Sequence, residues 1–379
     1  MKIKAAVLGT GFMGKVHTEA IRRLGNVEVV AVAGSNQETA ERFAQAWSIP
    51  RAFGDWRAAI AEADAVHVGT PNCLHYPMVK FALENGKHVI CEKPLTMTAA
   101  EARELAALAG TKNLANCVNH NLRFYPVVQQ ARSMIAAGEL GEILAVNGTY
   151  FQDWMLYETD WNWRAAPERG GELRAMGDIG SHWMDMIQHV TGLKITSLCA
   201  DLETVHKTRK RPKASVETFA GKKSTSAEYD EVRVATDDFG AVLIHLGDRA
   251  RGSFAVSQVS AGRKNRFNFE VYGTKCGLAW NQERPDELWI GQRNSPNRLL
   301  VKDPSLMDAR AASFADLPGG HSEGYDDTFK QMFRRFYARA ADAAAPVEYP
   351  MFADGAWGME LLEKVLESSR GRRWVDCYS

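Results

Sequence analysis

Short apolar runs alternate with amphipathic stretches over residues 3–120. The apolar runs predict strands at 3–8, 27–33, 64–69, 87–91 and 115–119. The stretches between them carry apolar residues at helical spacing, at 13–24, 37–46, 74–85 and 98–110. The runs show little polar alternation, as in strands that are covered on both faces. Strands and helices in alternation predict a doubly wound parallel sheet.

The pattern changes after Pro126. A helix, a strand and a second helix are predicted at 127–137, 143–150 and 178–191. Strand-like runs then follow one another without helices between them, at 195–205, 231–237, 240–247, 251–259, 266–273 and 286–291. Consecutive strands of this kind predict an antiparallel or mixed sheet. Two predicted helices close the chain, at 325–343 and 353–369.

Composition and charge narrow the class of protein. The 379 residues include 46 Lys and Arg and 46 Asp and Glu, so net charge gives no argument for a nucleic-acid or membrane-surface partner. No apolar stretch approaches the ~20 residues of a membrane span. The apolar start Ala5-Ala6-Val7-Leu8 is too short for the core of a signal peptide, so we expect a cytoplasmic protein. Six scattered cysteines without a CxxC pair predict reduced thiols.

One segment, 207–227, is locally basic. It contains Lys207-Thr208-Arg209-Lys210-Arg211-Pro212-Lys213 and, further on, Gly221-Lys222-Lys223-Ser224. Such a segment is either a nucleic-acid patch or a solvated loop. The zero net charge of the whole chain favours the loop.

A glycine motif, Gly9-Thr10-Gly11-Phe12-Met13-Gly14, joins the first predicted strand to the first predicted helix. Gly9 permits a tight turn, Gly11 lets the backbone approach a pyrophosphate, and Gly14 lets helix and strand pack closely. The helix N-terminus offers its N–H groups to the phosphates. Because the motif follows a strand and opens a helix, it predicts a dinucleotide-binding Rossmann domain with Gly9, Gly11, Phe12, Met13 and Gly14 at the cofactor.

The end of the second strand bears on the choice of cofactor. An NAD site usually has an acid about 20 residues further on, for the ribose hydroxyls. Here the strand ends at Ala33 and continues Gly34-Ser35-Asn36, without an acid. The loss of the acid favours NADP, whereas Ser35 and Asn36 could also hold NAD through neutral hydrogen bonds. We therefore expect NAD or NADP.

Polar residues follow three of the predicted strands at their carboxyl ends, where ligands bind in open α/β sheets. Lys93 stands in Glu92-Lys93-Pro94 after the strand at 87–91, as a cation beside a carboxylate. A lysine in this place can hold a substrate oxygen and stabilise developing alkoxide character. The segments after the other two strands are Thr70-Pro71-Asn72-Cys73-Leu74-His75 and Asn119-His120-Asn121-Leu122-Arg123-Phe124.

The helix at 178–191 carries a second set of chemical groups. Asp178 and His182 are four residues apart and so share a helical face. Histidine can move a proton near neutral pH, and a neighbouring carboxylate can orient it. Hydride transfer from an alcohol carbon needs such a proton acceptor, while the cofactor supplies the rest. We expect this face to meet Lys93 across a cleft.

Plainer interpretations of these residues stay open. Asp178 could be only an N-cap. Together with Asp185 and His189, the pair could form a row of metal ligands along one face of the helix. One helix rarely supplies a whole metal site and hydride transfer needs none, so we expect no metal. His17 and His67 are expected to be packing or surface residues.

An aromatic loop precedes this helix and contains Asp153-Trp154, Tyr157 and Asp160-Trp161-Asn162-Trp163-Arg164. Aromatic faces can stack on sugar rings, and neighbouring polar groups can bind hydroxyls. The alternative is that these aromatics pack the loop or an oligomer interface. The two interpretations are balanced for Trp154 and Tyr157, whereas Trp163 and Arg164 favour the substrate site.

Taken together, these segments resemble the Gfo/Idh/MocA family, named for glucose–fructose oxidoreductase, inositol dehydrogenase and a rhizopine-catabolism protein. The matching segments are Gly9–Gly14, Thr70-Pro71-Asn72 with His75, Glu92-Lys93-Pro94, Arg123-Phe124 with Pro126, Asp178-x-Gly180-x-His182-x-x-Asp185, and Gly319-Gly320-His321-x-Glu323-Gly324-Tyr325. Gly34-Ser35 departs from the family, because members that use NAD often carry an acid there.

The resemblance implies an α/β protein with two domains. The first, at 1–123, would be the Rossmann domain with its doubly wound parallel sheet. The second, at 124–379, would be an α/β domain with a large open, mostly antiparallel sheet that binds substrate and forms a homodimer or homotetramer. We expect the helix at 353–369 to pack back on the first domain.

The resemblance also implies an NAD(P)-dependent oxidoreductase acting on a sugar, sugar derivative or cyclitol. Lys93 and His182 would be catalytic and also bind substrate, with Asp178 assisting. The cofactor would contact Thr70, Asn72, His75, Glu92, Lys93 and Asn121. Trp163, Arg164 and His321 would line the substrate mouth.

The leading hypothesis is reversible oxidation of one ring hydroxyl. His182 would take the hydroxyl proton and Lys93 would polarise the oxygen, although the two could exchange the role of base. One alternative is an isomerase or glycoside-cleaving enzyme that uses a bound cofactor in an internal redox cycle. Another is a cofactor-binding sensor of the same fold, against which the joint presence of Lys93, Asp178 and His182 argues.

Overall fold

The structure is a computed structural model that describes residues 2–213 and 228–378. The chain divides into two compact units. The first comprises Met1–Asn121, Glu168–Gly171 and Asp326–Met359, and the second comprises Leu122–Pro167, Glu172–Tyr325 and Glu360–Ser379. The expected domain ranges, 1–123 and 124–379, stay a prediction. The units differ from them chiefly in that Asp326–Met359 belongs to the first unit, so the C-terminal helix contributes residues to both.

The first unit contains a six-stranded sheet. Its strands are β1 (Ile3–Leu8), β2 (Val27–Ala33), β3 (Arg51–Phe53), β4 (Ala65–Val68), β5 (His88–Cys91) and β6 (Asn116–Val118). All neighbours are parallel, which confirms the predicted doubly wound fold. The order β3-β2-β1-β4-β5-β6 reverses between β1 and β4, where ligands bind in such sheets. Strand β3 was not predicted, because three residues carry no readable period.

The α-helices are numbered along the whole described chain. They are α1 (Phe12–Arg22), α2 (Gln37–Ala46), α3 (Trp56–Ala61), α4 (His75–Glu84), α5 (Ala99–Thr111), α6 (Pro126–Ala136), α7 (Pro167–Gly170), α8 (Ser181–Thr191), α9 (Ala309–Ala312), α10 (Tyr325–Ala341) and α11 (Phe352–Gly371). Within residues 2–213 and 228–378, no helix has both the length and the apolar character that crossing a membrane requires.

Reciprocal caps explain where two of these helices begin. Asn36 Oδ1 accepts from the Thr39 N–H at 2.9 Å, and Thr39 Oγ1 accepts from the Asn36 N–H at 3.3 Å. Thr98 and Glu101 form the same kind of capping box at the start of α5. The first box fixes the turn between β2 and α2, which is the turn that contains Ser35.

The second unit is built on a nine-stranded sheet. Its strands are β7 (Ile143–Phe151), β8 (Ile195–Glu203), β11 (Phe239–Leu246), β12 (Ala250–Ser257), β13 (Arg266–Gly273), β14 (Gly277–Asn281), β15 (Glu287–Gly291), β16 (Arg298–Val301) and β17 (Val375–Asp376); β9 (Thr208–Pro212) and β10 (Tyr229–Arg233) form a separate ribbon. The order is β16-β15-β14-β13-β7-β12-β11-β8-β17. Only the pair β7–β12 is parallel among the described strands of this sheet, so the predicted mostly antiparallel arrangement is confirmed.

Helix α8 lies on this sheet and carries His182. The next residue, Trp183, stacks on Phe254 of β12 with ring centroids 4.3 Å apart, and its Nε1 donates to the Asn268 carbonyl at 3.1 Å. A Cβ on Gly148 of β7 would stand 2.3 Å from that Nε1. Only glycine leaves room for the indole there, and this tight fit fixes the position of α8.

The basic segment differs from the solvated loop that the sequence predicted. Its first part forms β9, and Arg209 within it is completely buried. A buried arginine needs a partner of opposite charge, which Asp238 provides at 2.5 Å. Arg211 on the same strand is exposed, so the burial is specific to Arg209. The rest of the predicted loop, 214–227, lies outside the described residues.

Candidate active site

The glycine motif forms the turn between β1 and α1. Gly9 has a φ of +111°, and a Cβ there would lie 2.6 Å from the Gly69 carbonyl oxygen. A Cβ on Gly14 would lie 2.1 Å from the Gly9 carbonyl oxygen. The turn itself therefore requires glycine at both positions. Gly11 differs, because its backbone is extended and a Cβ there would meet no atom within 4 Å.

The space around Gly11 fits the pyrophosphate of a dinucleotide. Gly11 is the N-cap of α1 and gives the first N–H groups of the helix no side-chain partner. Those N–H groups and the positive end of the helix dipole favour an anion. Phe12 is exposed beside them and Met13 is half-buried. The residues present at this turn therefore suit a cofactor with phosphate groups.

Strand β2 ends in a turn that has no acidic side chain. A Cβ on Gly34 would lie 2.5 Å from Thr39 Oγ1 and 2.7 Å from the Ala40 nitrogen, so no side chain fits at that position. Ser35 and Asn36 are both exposed, and Asn36 already uses its Oδ1 to cap α2. Ser35 is therefore the first position after β2 with room for a longer side chain.

His75 joins the loops that follow β4 and β5. Its Nδ1 lies 2.8 Å from the Pro94 carbonyl oxygen and its Nε2 lies 2.9 Å from the Thr70 carbonyl oxygen, and the ring is completely buried. Asn72, also buried, donates from Nδ2 to the Gly170 carbonyl at 2.8 Å. Both side chains hold loops at the carboxyl ends of strands. Contact of Thr70, Asn72 and His75 with a cofactor stays a prediction.

Glu92 is buried directly after β5, and Lys93 beside it is half-buried. Glu92 Oε1 accepts from His17 Nε2 at 3.0 Å and from the Asn119 amide, while Oε2 accepts from the Lys93 N–H at 3.3 Å. Burial acts to raise the pKa of Glu92, but the hydrogen bonds from His17 and Asn119 and the charge of Lys93 outweigh it and lower that pKa. Glu92 is therefore a carboxylate at neutral pH.

The predicted roles of His17 and His67, as packing or surface residues, are incomplete. Both are buried and pack against aromatic rings, yet both also form side-chain hydrogen bonds. His17 contacts His67, and His67 contacts the Tyr337 hydroxyl. Asn121, predicted at the cofactor, is buried and donates to Thr328 Oγ1 at 2.8 Å.

In the second unit, Asp178 lies in a π-helical turn, Met176–Gly180, that leads into α8. The residue that caps this turn is Asp237, whose carboxylate accepts from the N–H groups of Arg174 and Met176, each at 2.7 Å. Ala175 occupies the N-cap position. The interpretation of Asp178 as an N-cap is therefore wrong, and its carboxylate is available to side chains.

Two side chains hold the Asp178 carboxylate, which is 12% exposed. Arg164 Nε lies 3.4 Å from Oδ1, and Gln258 Nε2 donates to Oδ2 at 2.9 Å. Gln258 Oε1 in turn accepts from Arg174 Nη1 at 3.0 Å. Because arginine can only donate, Arg174 decides that the N–H₂ end of Gln258 faces Asp178.

Arg174 belongs to a buried ionic cluster that the sequence did not reveal. Arg174 and Arg209 both pair with Asp238, and all three side chains are at most 1% exposed. Burial lowers the pKa of Arg174 to about 10 and that of Arg209 to about 9, so both remain charged at neutral pH. Arg209 also donates to the carbonyls of Met155 and Tyr157, at 3.0 and 2.9 Å, and so anchors the aromatic loop.

His182 is 8% exposed and lies near Tyr150, with ring centroids 6.3 Å apart. Tyr150 is buried and donates its hydroxyl to Asn265 Oδ1 at 2.8 Å. Burial, together with the charge of Asp178, raises the pKa of Tyr150. Tyr150 therefore stays a neutral phenol, whereas His182 is of the residue type that exchanges protons near neutral pH.

Asp185 and His189, the two further residues of the hypothetical row of metal ligands, bind different partners. Asp185 forms a bidentate ion pair with Arg123, whose Nε lies 2.7 Å from Oδ2. His189 contacts Gln129 Nε2 at 3.1 Å, and burial with three neighbouring arginines lowers its pKa well below the ordinary value. In residues 2–213 and 228–378, His, Cys, Asp and Glu side chains form no group of three placed to hold a metal.

The aromatic loop has a packed part and an open part. Trp154 packs on a small buried cluster and donates from Nε1 to Gln152 Oε1 at 2.7 Å, which favours the packing interpretation. Tyr157 is 51% exposed. The Arg164 guanidinium lies over the Trp163 ring, 4.3 Å from its centroid. Contact of Trp163 and Arg164 with substrate stays a prediction.

His321 is exposed on a loop that a buried lysine holds. Lys302 Nζ donates to the carbonyl oxygens of His321 and Leu317, at 2.6 and 3.3 Å. It also pairs with Glu323 at 2.8 Å, and both charged side chains are 1% exposed. The ion pair fixes the backbone that presents His321. Contact of His321 with substrate stays a prediction.

Comparison with known proteins assigns the family. Residues 3–120 match the family model of the Gfo/Idh/MocA oxidoreductases with an NAD-binding Rossmann fold, and residues 128–279 match that of the Gfo/Idh/MocA C-terminal domain. The chain belongs to this family. The resemblance seen in the motifs is thereby confirmed, and so is the enzyme class of oxidoreductase.

Relatives in the Gfo/Idh/MocA family match over almost the whole chain. The chain is 30% identical to levoglucosan dehydrogenase of Pseudarthrobacter phenanthrenivorans, over 99% of this chain and 98% of the relative. A structure of levoglucosan dehydrogenase in complex with NADH and levoglucosan has a TM-score of 0.89 at 27% identity and covers 100% of both chains. An inositol dehydrogenase homologue from Azotobacter vinelandii in complex with NAD+ has a TM-score of 0.87 at 26% identity, with 99% and 97% covered.

Gly11 gives a test of the cofactor site that separates binding from folding. Gly11→Val should fold normally, because a Cβ there meets no atom within 4 Å, with a free energy of unfolding within about 0.5 kcal/mol of the wild type. Its side chain should fill the space at the helix N-terminus and weaken NAD+ binding at least about tenfold, or 1.4 kcal/mol, measured by calorimetry. The contrasting variant Gly9→Val should lose stability. Normal NAD+ affinity in Gly11→Val would place the pyrophosphate elsewhere.

His67 predicts a pH dependence of stability. Burial, which penalises the charged imidazole, holds the pKa of His67 well below its ordinary value. Below about pH 6.5 the unfolded chain therefore binds a proton that the folded chain does not, and stability falls by up to about 1.4 kcal/mol per pH unit. Urea unfolding near neutral pH and about 1.5 units lower should show this loss, and His67→Gln should reduce it by about 1 kcal/mol. The exposed His321→Gln should leave the loss unchanged; an equal loss in all three proteins would refute the assignment.

Proposed function

We propose that the protein is a dehydrogenase that reversibly oxidises a ring hydroxyl of a sugar, sugar derivative or cyclitol with NAD or NADP. The observation that carries this proposal is the position of Lys93, a half-buried cation directly after β5 and beside the ionised Glu92 in an NAD-binding domain. The sugar class is supported by the relatives, which include a levoglucosan dehydrogenase and an inositol dehydrogenase homologue.

Each proposed catalytic residue has a distinct task. When bound, the nicotinamide supplies the hydride acceptor. Lys93 binds the hydroxyl oxygen and stabilises the negative charge that develops as the proton leaves. His182 takes that proton, and Asp178 keeps the imidazole oriented. Support for Asp178 in this task is its own fixed position, because its two oxygens are held by Arg164 and Gln258.

We propose that substrate hydroxyls and ring faces are bound by Trp163, Arg164 and His321. Arg164 has both a ring neighbour and a carboxylate neighbour, which restrict its guanidinium to one orientation. His321 is exposed but presented by a backbone that Lys302 anchors. Trp163 and Arg164 are half-buried and His321 is exposed, and side chains that remain accessible yet held in place suit a site for a polar substrate.

The Ser35 turn supports the use of both cofactors. It offers hydroxyl and amide groups and has no carboxylate that would repel a 2′-phosphate. NAD is proposed to bind through the same neutral groups.

A homodimer or homotetramer and a cytoplasmic location are further proposals. The support for an oligomer is the nine-stranded sheet, on which Leu243 of β11 is 52% exposed.

A substrate panel tests the function. Monosaccharides, anhydrosugars including levoglucosan, and inositols should be incubated with NAD+ and with NADP+, and reduced nicotinamide measured by absorbance. We expect turnover with at least one of them. Lys93→Met should lower kcat at least about 100-fold and leave NAD+ affinity nearly unchanged, whereas the exposed Lys112→Met should behave like the wild type.

Each failure has a separate meaning. No reduction with any member of the panel would overturn the dehydrogenase assignment. Near-normal turnover in Lys93→Met would remove Lys93 from the mechanism. Purified protein that carries nucleotide and converts a sugar without net reduction would favour the internal redox cycle of an isomerase or glycoside-cleaving enzyme.

Ser35 tests the choice of cofactor. Ser35→Asp places a carboxylate at the first position after β2 with room for it, where it can accept from ribose hydroxyls and repel a 2′-phosphate. The ratio of kcat/KM for NAD+ to that for NADP+ should rise at least about tenfold. Ser35→Asn introduces a side chain of nearly the same size as that of Ser35→Asp but without the charge. It should leave the ratio close to that of the wild type. An unchanged ratio in Ser35→Asp would show that this turn does not select the cofactor.

A further inference from the structure

Four buried side chains, Tyr337, His67, His17 and Glu92, contact one another in series within the first unit. The Tyr337 hydroxyl lies 2.7 Å from His67 Nε2, and His67 Nδ1 lies 3.0 Å from His17 Nδ1. His17 Nε2 lies 3.0 Å from Glu92 Oε1. In this series Tyr337 is 1% exposed, His67 0%, His17 1% and Glu92 6%. Water therefore has little access to these four side chains, and each must find its hydrogen-bond partners within the protein.

The ionised Glu92 fixes the direction of every hydrogen bond. A carboxylate only accepts, so His17 must carry a proton on Nε2. A neutral imidazole donates from one ring nitrogen and accepts at the other, so His17 Nδ1 accepts and the proton between the rings belongs to His67 Nδ1. His67 Nε2 then accepts, and the Tyr337 hydroxyl donates. All three donors point toward Glu92.

The reverse direction leaves a buried group unsatisfied. If His17 were protonated on both nitrogens, His67 would accept at Nδ1 and donate from Nε2 to Tyr337. The Tyr337 hydroxyl proton would then need another acceptor, and within residues 2–213 and 228–378 the only hydrogen-bond partner of this hydroxyl is His67. A buried hydroxyl proton without an acceptor destabilises the folded state.

Aromatic packing holds the two imidazole rings in place. The Phe333 ring centroid lies 5.0 Å from that of His17 and 4.7 Å from that of His67. Phe329 packs on His17 at 5.9 Å, and Tyr337 stacks on His67 at 5.8 Å. Phe329, Phe333 and Tyr337 are spaced by four on one face of α10. One helix thus supplies both the packing and the first donor.

We propose that Tyr337, His67 and His17 are positioning residues for the reaction at Lys93, acting through Glu92. They hold the Glu92 carboxylate ionised and in one orientation. Its Oε2 accepts from the Lys93 N–H, and its charge attracts the Lys93 ammonium. The chain of donors therefore sets the place of the cation that binds the substrate oxygen. The proposal rests on the proposed function through the catalytic role of Lys93.

Kinetics of shape-conserving variants test this role. Tyr337→Phe removes one donor and keeps the ring, so kcat should fall roughly three- to tenfold, as for one lost hydrogen bond. His17→Leu leaves Glu92 without its imidazole donor, and kcat should fall about 10- to 100-fold, the size found when a group that orients a metal ligand is removed. KM for the sugar and affinity for NAD+ should stay within about twofold of the wild type. The variants weaken an interaction that matters in the transition state and leave the binding of sugar and cofactor in place.

Rescue and control variants separate positioning from general damage to the fold. His17→Gln keeps an amide that can donate to Glu92, so its kcat should recover part of the loss in His17→Leu. Tyr349 is a second buried tyrosine of the first unit, packed on Phe336 outside the hydrogen-bond chain. Tyr349→Phe should therefore keep the wild-type kcat. If His17→Leu does not fold, Tyr337→Phe and His17→Gln decide the question.

Imidazole tautomers give a readout that does not require activity. In protein with ¹⁵N-labelled histidine, long-range ¹H–¹⁵N spectra should show His17 protonated on Nε2 and His67 protonated on Nδ1, assigned with the His17→Gln and His67→Gln variants. Tyr337→Phe should change the His67 signals, and Tyr349→Phe should not. The opposite tautomers, or a normal kcat in both His17→Leu and Tyr337→Phe, would overturn the proposal. A wild-type protein inactive toward every sugar, with the expected tautomers, would instead count against the proposed function alone.

Discussion

A buried carboxylate stays ionised only if its hydrogen-bond donors are buried with it, and the surroundings of Lys93 depend on this constraint. Glu92 meets it with His17 from α1 and Asn119 from the segment after β6. His17 lies only one turn beyond the glycine motif. Helix α1, which begins at the glycine turn, is therefore tied by charge, as well as by apolar packing, to the strand end that carries Lys93. Loss of His17 would leave a buried negative charge with one donor fewer.

The second unit meets the same constraint with arginines. Asp238 is completely buried between Arg174 and Arg209, and Asp237 beside it caps the turn that contains Asp178. Breaking a buried pair by removing one partner typically costs about 3–5 kcal/mol, because the remaining charge is uncompensated. The cluster thus does more than neutralise charge. Through Gln258 it aligns the carboxylate of the proposed active site, and through Arg209 it anchors the aromatic loop.

The sequence predicted the groups that act locally and missed those that act over long distances. Gly9 and Gly14 reveal their roles in the turn because a strand, a turn and a helix are contiguous, and Lys93 follows its strand directly. His17 and Glu92 are 75 residues apart, and His67 and Tyr337 are 270 apart, so no spacing connects them. Arg209 misled in a further way. It stands in a run of basic residues that looks solvated, but this one side chain is buried in an ion pair with Asp238. Residues that hold catalytic groups carry no motif of their own.

The second unit holds some residues of the proposed site through their backbone and others through their side chains. This difference bears on how substrate choice can change. The groups proposed to meet substrate, Trp163 and His321, stand on backbone that buried charges anchor through Arg209 and Lys302. The anchoring bonds go mainly to carbonyl oxygens, which every residue type provides. The side chains of Trp163 and His321 can therefore be exchanged while the backbone that presents them stays fixed. Asp178 and Lys93 have no such freedom, because Arg164 and Gln258 bind the Asp178 carboxylate and the charge of Lys93 helps to keep Glu92 ionised. The proposed catalytic carboxylate is thus held through its side chain and the proposed substrate contacts through their backbone, so a change of substrate contacts need not disturb the carboxylate.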